Sequence, residues 1–266
     1  MDKLATQVAA AVRGDKKALE NVVLGVQDMI YNLAVRMLWH PDEARDATQE
    51  VLIRLVTNLS SFKQQSSFKT WVYRLTANTL INYNRKFRGQ QQSFSQYAAD
   101  LQRDLAVGIS YTQNLAEQQL LVAEAKIGCS NAMLQCLNDQ QRLVYILGEI
   151  LELNSQEVGE VLDITPATFR KQLSRVRNKM HAFLRGNCGL VNPSNPCRCR
   201  KKVDSAIQHG HIQPNRLLFA AGQKPEDLVS TIDQVESEVA LYRTNPEYAA
   251  PAAFLQEVSR IIAGSA

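Results

Sequence analysis

Between Pro41 and Pro166 the chain contains no proline, and apolar residues recur at three- and four-residue intervals through most of that span. Proline removes an amide donor and clashes with the preceding turn, so its absence leaves long stretches open to helix. No segment alternates apolar and polar side chains as a half-buried strand would. The fold class that follows is all-α. Helices are expected near residues 2–13, 16–38, 42–60 and 67–87, within 112–127, and at 139–152, 155–162 and 166–184. Residues 89–114 are glutamine-rich, weakly periodic and carry Gly89 and Gly108, which suits a linker between two helical domains. The organisation expected is a helical domain over 1–88, a linker over 89–128, a second helical domain over 129–185, and an extension over 186–266.

The sharpest local pattern lies at residues 155–184. Asn154 with Glu157 three positions on is a capping box, and Val158, Val161 and Leu162 share one helical face. Asp163-Ile164 breaks the helix. Thr165 then suits an N-cap and Pro166 the first helical position, where no amide donor is needed. The second helix sets Phe169, Leu173, Val176 and Met180 on an apolar face, against Arg170, Lys171, Arg175, Arg177 and Lys179 on another. Two short helices with a basic second member form the layout of a helix-turn-helix that enters the DNA major groove. An early arginine there suits bidentate contact to guanine, and later cations suit phosphates. An amphipathic helix with a solvated basic face is the plainer alternative.

Charge is unevenly spread. Residues 204–266 hold eight acidic and four basic side chains, leaving residues 1–203 with 26 basic and 18 acidic, a balance of +8. Between Val51 and Ala99 there are seven cations, among them Arg54, Lys63, Lys69, Arg74 and Arg85, and no acid. The stretch Ser60–Ser67 mixes aromatic, basic and hydroxyl groups, which suits unstacked bases and single-strand phosphates. Trp71 in the next helix is expected to serve the core first. The helix that precedes this loop opens acidic instead: Asp46, Gln49 and Glu50 share a face that would repel DNA and suits a basic protein helix.

These segments, Asp-Glu-Ala-Arg-Asp-Ala-Thr-Gln-Glu-Val, then Ser-Phe-Lys-Gln-Gln-Ser-Ser-Phe-Lys-Thr-Trp-Val-Tyr-Arg-Leu-Thr-Ala-Asn, then the helix-turn-helix, resemble in order and spacing a bacterial RNA polymerase sigma factor of the extracytoplasmic-function (ECF) group. The resemblance covers residues 16–88 as region 2 and 130–184 as region 4. It implies that Asp46, Gln49 and Glu50 dock on the coiled coil of the clamp-bearing polymerase subunit. It also implies that Phe62, Lys63, Ser66, Ser67 and Phe68, with Arg74, Asn78, Asn82 and Arg85, read and melt the minus-10 element. Thr168, Arg170, Lys171, Ser174, Arg175 and Arg177 would contact the minus-35 duplex, and the linker would thread polymerase channels. The partners implied are core polymerase, promoter DNA as duplex and as melted strand, and an anti-sigma factor. Lys171 and Gln172 depart from the small and basic residues usual at their positions. Residues 186–266 extend past the point where a minimal member stops.

Within that extension Cys188, Cys197, Cys199 and His209 are spaced as a candidate Cys3His zinc site, although the spacing fits no familiar finger; reduced thiols and a redox sensor are the other readings. No further cofactor is called for. Leu228, Ile232, Val235, Val239 and Tyr242 then predict an acidic amphipathic helix from Pro225, and Phe254, Leu255, Val258, Ile261 and Ile262 a second. The acidic tail is expected either to fold back on the basic domains and restrain promoter binding or to act as a packing appendage. No run of about 18 apolar residues and no signal-peptide pattern occurs, so a cytoplasmic location is expected. An enzyme is not expected: no carboxylate pair, phosphate-binding glycine loop or Ser/His/Asp arrangement stands out. A stand-alone helix-turn-helix regulator remains the alternative, but it leaves the first domain without a task.

Overall fold

The computed structural model describes residues 3–87, 92–103, 105, 109–221, 224, 235, 237–251, 254 and 260. Among these every regular element is helical. They are α1 (Lys3–Val12), α2 (Lys16–Leu38), α3 (Pro41–Asn58), α4 (Phe68–Phe87), α5 (Phe94–Gln102), α6 (Leu115–Leu134), α7 (Asp139–Tyr145), α8 (Ser155–Leu162), α9 (Pro166–Asn187), α10 (Cys199–Gln208) and α11 (Ala240–Arg243). A one-turn 3-10 helix, Leu59–Ser61, follows α3, and a π-helical turn, Ile146–Ile150, follows α7. Most of the expected helix at 225–242 and of the one after Phe254 lies outside the described residues; of the described ones Val235, Ser237, Glu238 and Val239 are not helical, so the expected helix does not run through to Tyr242 and only the single turn α11 is helical there.

The chain divides into two compact units. The first comprises Met1–Gly89, Leu153–Arg170 and Glu247–Ala266, and the second Gln90–Glu152 and Lys171–Pro246. This division cuts across the four segments expected from sequence, because α8 packs on α4 and the C-terminal residues pack on α2.

In the first unit α2 is the central helix, in contact with α1, α3 and α4. Asp15 caps it through the Ala18 amide at 3.0 Å, and Val22, Val23, Val26, Ile30, Leu33 and Met37 are buried along it. Tail residues close over its far side. The Asn32 amide donates to Tyr248 O at 2.7 Å and its Oδ1 accepts from Tyr248 N at 2.9 Å, so one side chain satisfies both backbone groups of a tail residue. Asp28 Oδ1 accepts from Ala250 N at 2.9 Å, the Arg36 guanidinium lies over the Tyr248 ring, and Phe254 packs edge-on to Tyr31.

In the second unit α6 is the organising helix, and the extension completes its core. Val203 and Ile212 join Ile109, Leu121 and Ala125 in one apolar cluster. Two charged groups of α6 are buried with them. Glu124 accepts from the amides of Leu218, Phe219 and Ala220 at 2.7 to 2.9 Å, and Lys126 donates to Thr244 Oγ1 at 2.7 Å. Burial pushes the Glu124 carboxyl up against those three bonds, and it drives the Lys126 ammonium down to about 8. Fully buried Arg142 of α7 donates to the carbonyls of Leu134, the last residue of α6, and of Leu137 in the turn that follows, both at 2.9 Å.

Helix α5 falls inside the stretch expected to be linker. A Ser93–Gln96 capping box starts it, and Tyr97 and Leu101 bury one face. Phe183 of α9 packs on both Phe94 and Tyr97.

Candidate nucleic-acid and polymerase interfaces

Local chemistry builds the helix-turn-helix as its sequence requires. Asn154 Oδ1 accepts from the amides of Gln156 and Glu157, and Glu157 Oε2 accepts from Asn154 N at 2.9 Å, closing the capping box. Asp163 ends α8 in the left-handed conformation, with φ 55°. Thr165 Oγ1 then accepts from Thr168 N at 3.1 Å and starts α9. The turn is tight enough to need glycine in α8: a Cβ on Gly159 would sit 2.8 Å from Ile164 O.

On α9 the expected contact residues separate into two groups. Thr168, Arg170, Lys171, Ser174 and Arg175 are exposed along the first turns. Arg170 reaches back to Ser155 Oγ at 3.1 Å, a neutral and exposed bond that a phosphate or a guanine edge can replace. Arg177 differs. Its Nε donates to Glu149 Oε2 at 2.8 Å, and the Glu149 side chain is only 9% exposed. A buried carboxylate needs a partner, so this guanidinium is committed to the fold. The structure therefore moves Arg177 from the expected DNA set into the second unit's core support.

The surfaces of the first unit are equally specific. On α3, Asp46 is exposed, with Gln49 and Glu50 half-buried beside it. Glu50 pairs with Arg54 at 2.7 Å, and Arg45 lies near Asp42 and Asp46. Burial first, and then the charges of Asp46, Glu43 and Glu50, push the Tyr83 hydroxyl up, which places α4's Tyr83 within the field of this acidic face.

The loop after α3 is held at both ends. Ser61 Oγ donates to Asn58 O at 2.7 Å, and Ser67 Oγ caps α4 through Thr70 N at 3.1 Å. Lys63 is exposed and Ser66 half-buried between them. Gln64 adopts φ 57°, a left-handed conformation that costs a non-glycine residue of order 1 kcal/mol. Phe62, Phe68 and Trp71 form a triangle of rings with centroids 5.2, 5.6 and 5.7 Å apart. Phe68 is 5% exposed, whereas Phe62 and Trp71 are half-buried. Phe68 is therefore a floor for the other two rings rather than the base contact expected of it, since its own face is already covered. Arg74, Asn78, Asn82 and Arg85 are exposed along one side of α4, with Arg74 3.7 Å from Asp163.

Comparison with known proteins identifies two segments of the chain. Residues 22–98 match the model of Sigma-70 region 2, and residues 131–180 match that of Sigma-70 region 4. The ECF RNA polymerase sigma factor SigW of Bacillus subtilis (strain 168) is 32% identical over 178 residues, spanning 65% of this chain and 92% of that protein. The chain belongs to the ECF group of RNA polymerase sigma factors. The RNA polymerase sigma-H factor of Pseudomonas aeruginosa is 27% identical over 173 residues, and the ECF RNA polymerase sigma-E factor of Escherichia coli (strain K12) 26% over 177. Each of these alignments covers 65% of this chain, leaving about a third of it without a counterpart there. The all-α fold with region 2 and region 4 is that of the family, and the protein is a promoter-directing sigma factor rather than a stand-alone regulator. Among the described residues no helix is long and apolar enough to cross a membrane.

The cysteines gather in a way the sequence only half indicated. Cys129 of α6 joins Cys188, Cys197 and Cys199 around one cavity of the second unit, whose lining includes Lys126, Arg198 and Lys202. His209, expected as the fourth member, is not part of that lining; its ring stacks on His211 and its Nδ1 lies 2.7 Å from Ser205 O. The cysteines form no disulfide. Among the described residues no three His, Cys, Asp or Glu side chains already converge on a metal-holding point.

Proposed function

We propose that this sigma factor joins core polymerase through Asp46, Gln49 and Glu50, reads the minus-35 duplex with Thr168, Arg170, Lys171, Ser174 and Arg175, and opens the minus-10 element with Phe62, Lys63, Ser66 and Ser67 and the α4 stripe Arg74, Asn78, Asn82 and Arg85. The observation that carries the reading is the exposed, acid-free first half of α9. Arginine and lysine there face solvent on a rigid, capped helix, the arrangement that makes phosphate and base-edge contacts together.

The minus-10 part rests on the half-buried Phe62 and Trp71 over Phe68. A flipped base costs a few kcal/mol of unstacking, and an aromatic surface flanked by hydroxyls and cations offsets that cost. The protein acts where the polymerase works, in the cytoplasm, without chemistry of its own. An anti-sigma factor would act by covering the α3 face or the α9 face.

The test is reconstitution. Purified protein added to core polymerase and a genomic promoter library should give discrete run-off starts sharing two elements. DNA binding without core, and no specific starts with it, would refute the reading in favour of a self-sufficient regulator.

A further inference from the structure

Four of the chain's five cysteines line one cavity of roughly 30 Å³, although they come from two distant stretches of sequence. Cys129 is on α6, and Cys188, Cys197 and Cys199 lie between the end of α9 and the start of α10. The fifth, Cys136, is not in the lining.

The loop that carries three of them is wound tightly by its own polar groups. Arg198 donates to the carbonyls of Pro193, Asn195 and Cys197 at 2.6 to 2.8 Å, and the Asn195 amide donates to Arg185 O and Cys188 O at 3.0 and 3.1 Å. The chain also turns back on itself beside Cys188: a Cβ on Gly189 would lie 2.0 Å from Cys197 O. Only glycine allows that approach. These contacts draw the backbones at Cys188 and Cys197 together, and α10 packs the loop onto α6, where Cys129 waits.

We propose that Cys129, Cys188, Cys197 and Cys199 form a four-thiolate zinc site that clamps the 188–199 loop and α10 to α6. Soft thiolates select zinc over hard cations such as magnesium and calcium. Zinc takes four such ligands in a tetrahedron at about 2.3 Å, so the thiols turn into the cavity around the ion to complete the site. A zinc ion with four thiolates carries two negative charges, and Lys126, Arg198 and Lys202 line the same cavity to offset them.

Burial pushes the Cys197 and Cys199 thiols up, and the charges of the neighbouring thiols push further; Cys129 rises to about 12 for the same two reasons. A bound dication favours the ionised thiolate and so acts against the burial that holds Cys129, Cys197 and Cys199 protonated. The proposal stands apart from promoter recognition and does not depend on it.

The experiment is metal analysis of the full chain purified under reducing conditions without chelator, then after adding zinc alone. The expected result is about one zinc per chain in the wild type and in Cys136→Ser, with a loss of at least about tenfold in Cys129→Ser and in Cys199→Ser. Cobalt added to the wild type reads the site without any variant: sulfur-to-cobalt charge transfer of four-thiolate strength, with tetrahedral d–d bands, is expected. Less than about a tenth of an equivalent of zinc after addition would overturn the proposal. So would a disulfide between any two of the four cysteines, or a Cys129→Ser protein with wild-type zinc and cobalt spectrum.

Discussion

Two arginines seven positions apart on α9 make opposite predictions. Arg170 is exposed, and its only described bond is a neutral one to Ser155. Arg170→Ala should leave the fold within about 0.5 kcal/mol of wild type. If its guanidinium contacts a minus-35 base edge, the same change costs about 1–3 kcal/mol of duplex binding, or about 5- to 150-fold in affinity. Arg177 is held by Glu149, whose side chain is 9% exposed while Arg177's is 43% exposed. Removing one partner of a fully buried pair costs about 3–5 kcal/mol. An exposed pair contributes at most about 1 kcal/mol. This pair lies between the two, and Arg243 remains beside the Glu149 carbonyl at 2.6 Å, so Arg177→Ala should cost about 2 kcal/mol. For a unit of this size that lowers Tm on the order of 8 °C. Thermal melts of both variants, with anisotropy of core-loaded protein on a minus-35 duplex, separate the two effects. A folded Arg177→Ala protein that keeps its Tm and loses as much duplex affinity as Arg170→Ala would refute the division.

Other substitutions probe the remaining surfaces. Lys171→Ala should weaken duplex binding evenly across sequences and reduce the salt slope of log K by about 0.9, measured as a titration in potassium chloride. Trp71→Ala opens a gap in the ring triangle and should cost about 2–3 kcal/mol by urea melt, whereas Phe62→Ala should cost less than half as much and reduce permanganate-reactive open complexes at least about tenfold. Gly159→Val drives a side chain into the Ile164 carbonyl and should cost about 1–3 kcal/mol, read by the same melt. Ending the chain at Pro246 strips Tyr248 and Phe254 from α2 and should destabilise the first unit by about 2–4 kcal/mol by urea melt. The same truncation raises promoter affinity if the tail restrains binding, and unchanged affinity would leave it a packing role alone.

What the sequence disclosed follows the range of the interactions concerned. Periodicity and caps are local, so α2, α3, α4, α8 and the start of α9 stand within a residue or two of where spacing and cap chemistry put them. The Ser93–Gln96 box of α5 was equally local, but glutamine-rich composition suggested linker, and only the burial of Tyr97 and Leu101 decides otherwise. Which cations are free to meet DNA is not local. Arg177 and Arg175 look alike in sequence, and the difference is Glu149, 28 residues upstream of Arg177. Phe68 likewise reads as one aromatic of a loop until its burial beneath Phe62 and Trp71 is known. In the cysteine cluster three members are close in sequence, whereas Cys129 enters from α6, and no spacing pattern could have exchanged it for His209.

The same long-range contacts assign a role to most of the extension. Glu124 and Lys126 are charged residues on the buried side of α6, and a helix meant to stand alone would not place them there, since an unpaired buried charge costs several kcal/mol. Their partners are the amides of residues 218–220 and the hydroxyl of Thr244. Ser130 and Asn245 repeat the pattern one turn further on, at 2.8 Å. The described residues of the extension up to Pro246 are thus an integral part of the unit organised by α6, and cutting at Lys202 would expose those groups together with half of the Ile109–Ile212 cluster. Regulation by the extension has to be sought past that point, where Tyr248 and Ala250 engage Asn32 and Asp28 of α2 through three hydrogen bonds at 2.7 to 2.9 Å. Three exposed or part-buried bonds and one buried ring can be released by a competing surface without unfolding either unit, which is what a reversible restraint requires.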